Sequence, residues 1–207
     1  MSKNSGRGAA ILAGGSSCRF GSDKAVIETR EGPLIKWIAD QLMDVFDEVI
    51  VIANDPERYD FLELPVYPDL LKGRGPLGGV HAGLVASSFR HTFFTACDMP
   101  FISIPLIRHM ESVIIKSSPP ALVACRDGFV EPFHGFYSRD LVSLIETFSG
   151  NEGGGIYAFL RTVSYLRVEQ DRLLQFCPDG RIFKNINRME DLSLLGDLAC
   201  RSASISN

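Results

Sequence analysis

The chain opens on an apolar run, a glycine pair and a loop bearing cations: Ala10-Ile11-Leu12-Ala13-Gly14-Gly15, then Arg19, Gly21 and Asp23-Lys24. Glycines let backbone N–H groups approach phosphate oxygens with no Cβ in the way. Such groups form an anion-binding nest, and nearby cations offset the remaining charge. The chemistry this arrangement suits is polyphosphate binding. A glycine pair after a first strand is also an ordinary tight turn, and Arg19 and Lys24 would ordinarily be solvated; their shared loop raises them above that reading. The P-loop pattern fails, because Ser22 and Asp23 separate Gly21 from Lys24. The dinucleotide fingerprint G-x-G-x-x-G occurs only later, at Gly73–Gly78, with Asp98 downstream.

Asp98 is the strongest single candidate. It ends the apolar run Phe93-Phe94-Thr95-Ala96-Cys97, and Pro100 blocks simple continuation. A carboxylate there suits a divalent cation, which prefers oxygen ligands, and equally suits a turn cap. Asn185 and Asn187 alternate across Ile186, so on a strand they face one side and could position a metal or its waters. Asn187 with Glu190 also fits a capping box. Asp69 follows a short extended piece and could accept hydrogen bonds from a sugar or base, or serve as an ordinary turn residue. His81, His91, His109 and His134 share no spacing, and no G-x-S-x-G or Cys/His pattern supports nucleophilic hydrolysis.

These residues need elements to hold them, and strand and helix signals alternate. Ala9–Ala13, Glu48–Ala53, Thr92–Cys97, Ala121–Cys125 and Phe133–Tyr137 read as strands, with Pro65–Pro68 a short extended edge. Helices are predicted over 34–46, Pro76–Ser88, Ser103–Ile115 (Ser103 as cap) and Arg139–Phe148. Beyond the glycine-rich Gly150–Gly155, a helix over Ile156–Arg161, a strand over Ser164–Val168 and a short helix from Met189 follow; the end of the chain reads as a frayed tail. Apolar strands alternating with helices imply an α/β fold with a mostly parallel sheet covered on both faces. Ligands then bind beyond the carboxyl ends of the strands. The glycine loop, Asn54, Asp69 and Asp98 all follow predicted strands, so they share that edge.

Length and composition narrow the rest. The 207 residues, 45% of them hydrophobic, suit one domain with a sizeable core. A formal net charge of −4 argues against nucleic acid or an anionic membrane as the main partner. The five scattered cysteines lack metal-ligand spacing and read as free thiols of a reducing compartment. No signal peptide or membrane-length apolar run is visible, so a cytoplasmic location is expected.

In order along the chain, Leu12-Ala13-Gly14-Gly15 with Arg19, Gly21 and Asp23-Lys24, then Gly75-Pro76-Leu77-Gly78-Gly79, Cys97-Asp98-Met99-Pro100, Glu131–Tyr137 and Asn185-Ile186-Asn187 resemble the landmarks of the molybdenum cofactor guanylyltransferase family of nucleotidyltransferases. The resemblance spans nearly the whole chain. It implies a Rossmann-like three-layer nucleotidyltransferase fold in a single domain, 1–207. About 9–100 would form the nucleotide-binding half, 101–198 the acceptor half, and 199–207 a disordered tail. It implies transfer of GMP from GTP to the phosphate of molybdopterin, with release of pyrophosphate and with Mg²⁺, or Mn²⁺, on Asp98. Lys24, Asp98 and Arg19 become the catalytic residues. Leu12, Ala13, Gly14, Gly15, Lys24, Asn54, Asp69, Gly78, Asp98, Asn185 and Asn187 become the binding residues. A molybdoenzyme or chaperone that receives the labile product is the implied protein partner. Two positions depart from the signature: Cys18 stands where a second Arg is common, and Phe20 where Met is usual. Gly150–Gly155 matches no landmark and is expected to be a mobile loop near the acceptor pocket. Related cytidylyltransferases usually carry L-A-A-G, so Gly14 favours GTP; a CTP- or sugar-phosphate-dependent transferase is the alternative. An NAD-dependent oxidoreductase would need Gly73–Gly78 to follow a strand directly, whereas Asp69–Lys72 intervene. A non-catalytic GTP-binding adaptor is the remaining alternative, and Asp98 and Lys24 speak against it.

Overall fold

The computed structural model describes residues 7–13, 25, 27–29, 32–149, 155–187 and 189–195. Strand β1 (Gly8–Leu12) is buried along its whole length. Ala9 and Ile11 enter one core and Ala10 and Leu12 the other, the two-residue period of an extended chain. A short antiparallel ribbon, β2 (Glu28–Thr29) and β3 (Gly32–Pro33), leads into α1 (Leu34–Met43). The helix ends three residues before its predicted limit, and Val45 and Phe46 stay in the core just beyond it. Strands β4 (Glu48–Ile52) and β5 (Val66–Tyr67) precede α2 (Pro76–Ala86), then β6 (His91–Ala96) and α3 (Ile104–Ser117). Ser103 caps α3 as expected, its Oγ accepting from the Leu106 N–H at 3.4 Å.

The hairpin of β7 (Ala121–Arg126) and β8 (Phe129–Ser138) turns on Asp127 and Gly128. Both have positive φ, 50° and 81°, as a two-residue hairpin turn requires. A 3₁₀ turn over Arg139–Leu141 runs into α4 (Val142–Thr147), so the single helix expected over 139–148 is split. Next come α5 (Ile156–Leu160), β9 (Leu166–Val168) and α6 (Gln170–Leu174).

The main sheet has seven strands in the order β5-β4-β1-β6-β8-β7-β9. Strands β5, β4, β1 and β6 are mutually parallel, as are β7 and β9; β8 runs antiparallel to both its neighbours. Helices α1 and α3 cover one face through Ile35, Ile38, Leu42, Leu106 and Met110. Helices α2, α4 and α5 cover the other through Leu77, Val80, Leu84, Ile145, Phe159 and Leu160. This is the expected three-layer α/β architecture. Helix α2 lies very close to the sheet: a Cβ on Gly83 would stand 2.5 Å from Phe94 Cε1.

Candidate active site

The parallel strands deliver their C-terminal ends to one edge, and a cavity of about 290 Å³ opens there. Leu12 ends β1, Ile52 ends β4 and Ala96 ends β6, and all three line it. Because β8 is antiparallel to β6, its early residues reach the same edge, which adds Glu131 and Phe133. Tyr157 of α5, Asn185, Asp69, Gly75, Pro76 and Gly79 complete the lining.

Each polar group is positioned by an identifiable contact. Asp98 follows β6 in a tight turn, with Met99 N–H on the Ala96 carbonyl at 3.0 Å. Its own carbonyl accepts from the Ile186 N–H at 2.7 Å. Ile186 is fully buried against Leu34 and Phe101. That plug clips the C-terminal segment onto the Asp98 turn and leaves Asn185 on the cavity. Residues 184–187 form no strand, however, and Asn187 is exposed, off the cavity, with its N–H on Asp191 Oδ2 at 2.8 Å. The same-side strand expected for the asparagine pair is therefore replaced by a clip with one asparagine inward.

Asp69 is half-buried, and its N–H donates to Asn54 Oδ1 at 3.0 Å. Desolvation pushes its carboxyl above the usual range, opposed by a hydrogen bond from the Asn54 side chain. Asn54 thus lies outside the cavity and orients the residue that lines it. Ala13 is buried below it, with its N–H on the Ile52 carbonyl and its own carbonyl accepting from Tyr59 Oη at 3.0 Å. Gly78 also faces inward, where a Cβ would meet the Leu71 carbonyl at 2.8 Å; Gly79 is the glycine on the cavity wall. Gly75 caps α2 with φ 54°, a conformation open to glycine at little cost. The G-x-G-x-x-G pattern does not follow a strand, since β5 ends at Tyr67 and turns occupy the interval to Pro76. The dinucleotide reading loses its structural premise. Gly14, Gly15, Arg19, Lys24 and the loop Gly150–Gly154 lie outside the described residues.

Glu131, named in the sequence only as part of a landmark, proves to be a wall residue. The β7–β8 register jumps from Val123↔Gly135 to Ala124↔Glu131, so Pro132, Phe133 and His134 bulge from that pairing. Proline lacks a ladder donor and is found at such irregularities; its carbonyl here accepts from Tyr137 Oη at 2.9 Å. Burial pushes the Glu131 carboxyl up, the Phe133 N–H holds it back, and the charge of Asp98 pushes it further up. Proline within an otherwise apolar run was the available signal for the bulge. Among the described residues no three His, Cys, Asp or Glu side chains cluster as a metal site, and no helix is long and apolar enough to cross a membrane.

Comparison with known proteins gives concordant findings. The family model for the MobA-like NTP transferase domain matches residues 9–170. A molybdenum cofactor guanylyltransferase of Syntrophotalea carbinolica is 38% identical over 183 residues, covering 88% of this chain and 87% of the relative. The crystal structure of molybdopterin-guanine dinucleotide biosynthesis protein A from Archaeoglobus fulgidus superposes with a TM-score of 0.78 at 24% identity, over 93% of this chain and 98% of that one. A manganese complex from Mycobacterium tuberculosis has the same fold, with a TM-score of 0.59 at 13% identity over 80% and 88% of the two chains.

Proposed function

The chain belongs to the MobA-like NTP transferase family, and from that premise we propose that it transfers GMP from GTP to the phosphate of molybdopterin, forming molybdopterin guanine dinucleotide and pyrophosphate. The observation that carries this reading is one cavity lined by Asp98, after β6, together with Asp69 and Gly79 from the parallel half of the sheet and Glu131 and Tyr157 from the later half of the chain. Two substrates can meet there at one carboxylate.

An oxygen of the acceptor phosphate attacks the α-phosphorus of GTP. The bond from that phosphorus to the bridging oxygen breaks, and pyrophosphate leaves with the electron pair. The nucleophile is already an anion, so no general base is needed, and catalysis rests on positioning and charge neutralisation. Asp98, with the Asn185 amide beside it, would hold Mg²⁺ or Mn²⁺. Mg²⁺ commonly takes one or two carboxylates and fills its shell with water and substrate phosphates, which suits a cavity whose carboxylates form no three-ligand cluster among the described residues. Once bound, the cation neutralises charge on the phosphates. Arg19, Lys24 and the backbone of Leu12–Gly15 serve the triphosphate and nucleoside in this reading. Asp69, oriented by Asn54, serves the nucleoside, so the half before residue 100 takes GTP and the half after it the acceptor.

The test is thermal shift with Mg²⁺ and GTP, CTP, ATP or NAD, followed by reconstitution with molybdopterin. GTP should selectively raise the Tm of the wild type but not of Asp98→Ala, and the wild type should form the dinucleotide. A CTP preference would move the assignment to the cytidylyl relatives. A response to NAD without one to GTP would overturn it.

A further inference from the structure

Glu131 poses a problem for a site built around phosphates. With Asp69 and Asp98 it is the third carboxylate on the cavity, and a carboxylate facing phosphate without a cation between them is repulsive. Its partners are few: Oε1 accepts from the Phe133 N–H at 3.1 Å, and among the described residues Oε2 meets no donor. Among the described residues the side chain is thus fixed at one oxygen and open at the other. Beside it stand two aromatic side chains with surface to spare. Phe133 is half-buried on the bulge, and Tyr157 on α5 is 53% exposed. An open carboxylate oxygen flanked by aromatic groups matches a flat, N–H-rich heterocycle, whose faces need stacking partners and whose edge needs acceptors. Guanine and a pterin both have that character. The wall's place in the fold separates them: Glu131 and Phe133 come from β8 on one side of β6, the strand that Asp98 follows, whereas Leu12 ends β1 on its other side and Asp69 follows β5 beyond that; Tyr157 comes from α5.

We propose that Glu131, Phe133 and Tyr157 are the specificity wall for the acceptor, stacking on the fused ring of the reduced pterin while Glu131 Oε2 accepts from its N–H groups. The proposal rests on the transferase reading above and adds the residues that choose the acceptor. Glu131→Gln keeps the acceptor for the Phe133 N–H while removing the charge, and Tyr157→Ala alters an exposed position, so both variants should fold.

Two measurements test it. In dinucleotide synthesis, Glu131→Gln and Tyr157→Ala should each raise the KM for molybdopterin about tenfold, the scale of losing a charged hydrogen bond or a stacked ring. The kcat and the KM for GTP should stay within about threefold, a split that a merely structural role would not produce. Separately, quenching of 6-hydroxymethylpterin fluorescence should report binding to the wild type that molybdopterin displaces and Glu131→Gln weakens. An unchanged molybdopterin KM in both variants overturns the proposal and leaves the transferase reading intact. Pterin binding without GMP transfer by the wild type supports the wall and removes the transferase reading. Loss of the preference for GTP over ATP in Glu131→Gln assigns the carboxylate to guanine and overturns the proposal. Loss of Mg²⁺-dependent GTP binding assigns it to the cation, with the same consequence.

Discussion

His134 offers a quantitative test of how the β8 bulge is held. It follows Phe133 on the cavity wall, is 1% exposed, and meets the Phe93 ring edge-on at 5.1 Å between centroids. Its Nε2 has no hydrogen-bond partner among the described residues. Burial alone pulls its pKa from 6.5 down to about 4. Between those values the unfolded chain carries a proton that the folded chain refuses. Stability therefore rises with pH across that window and is lost as pH falls through it. The gap, at about 1.36 kcal/mol per pH unit, sets the loss at about 3 kcal/mol. Below pH 4 both forms are protonated and the loss stops growing. Urea unfolding of the wild type and His134→Phe, from pH 7.5 to pH 4, isolates this contribution. His91 and His109, also shifted down mainly by burial, act in the same direction in both proteins and cancel in the difference. The wild type should lose about 3 kcal/mol more than the variant over the window. Parallel stability curves would refute the assignment of a neutral, uncompensated imidazole in the folded state.

Two further substitutions probe the contact of α2 with the sheet and the cavity. In Gly83→Ala the new Cβ would meet Phe94 Cε1 at 2.5 Å and Ala10 Cβ at 3.3 Å, so the helix must lift from the sheet. Overpacking of this kind costs about 1–3 kcal/mol, measurable by chemical denaturation, and a more stable variant would show that the helix has room. In Gly79→Ala the methyl stands 3.1 Å from Leu12 Cδ2 and 3.6 Å from Asp69 Oδ1, on the wall assigned to the nucleoside. GTP affinity by calorimetry should fall severalfold while Tm stays level or rises; unchanged affinity would place the nucleoside elsewhere.

The parts of the fold legible in the sequence are those whose side chains share one simple environment. Strands β1, β4, β6 and β7 are buried on both faces and read as apolar runs. Proline and glycine mark the start of α2, and Ser103 marks that of α3. The fold was obscured where the environment changes within a few residues. The β8 run reads as five residues from Phe133, yet its ten-residue strand begins at Phe129, because Pro132 interrupts the alternation at the bulge. Asn185 and Asn187 alternate in sequence like a strand pair, but a buried Ile186 and one hydrogen bond to Asp98 decide their orientation. That contact joins residues far apart in the chain, and no local pattern encodes it. Glu131 escaped as a wall residue for the same reason: its place depends on the register of β8 against two different strands.

That register has a consequence for how the site is assembled. If β8 ran parallel to β6, its early residues would lie at the opposite edge of the sheet, away from Asp98. Reversing this strand brings Glu131 and Phe133 from the second half of the chain to the edge where β1, β4 and β6 end. Both residues line the cavity, with the Glu131 carboxylate tied to the Phe133 N–H. On the other side, the carbonyl of Asp98 anchors the C-terminal clip that supplies Asn185. Asp98 thus stands where two independent devices, a reversed strand and a plugged strap, meet the parallel half of the sheet. Under the proposed transfer, this convergence gives each of two large substrates its own wall while their phosphates share one point of charge neutralisation.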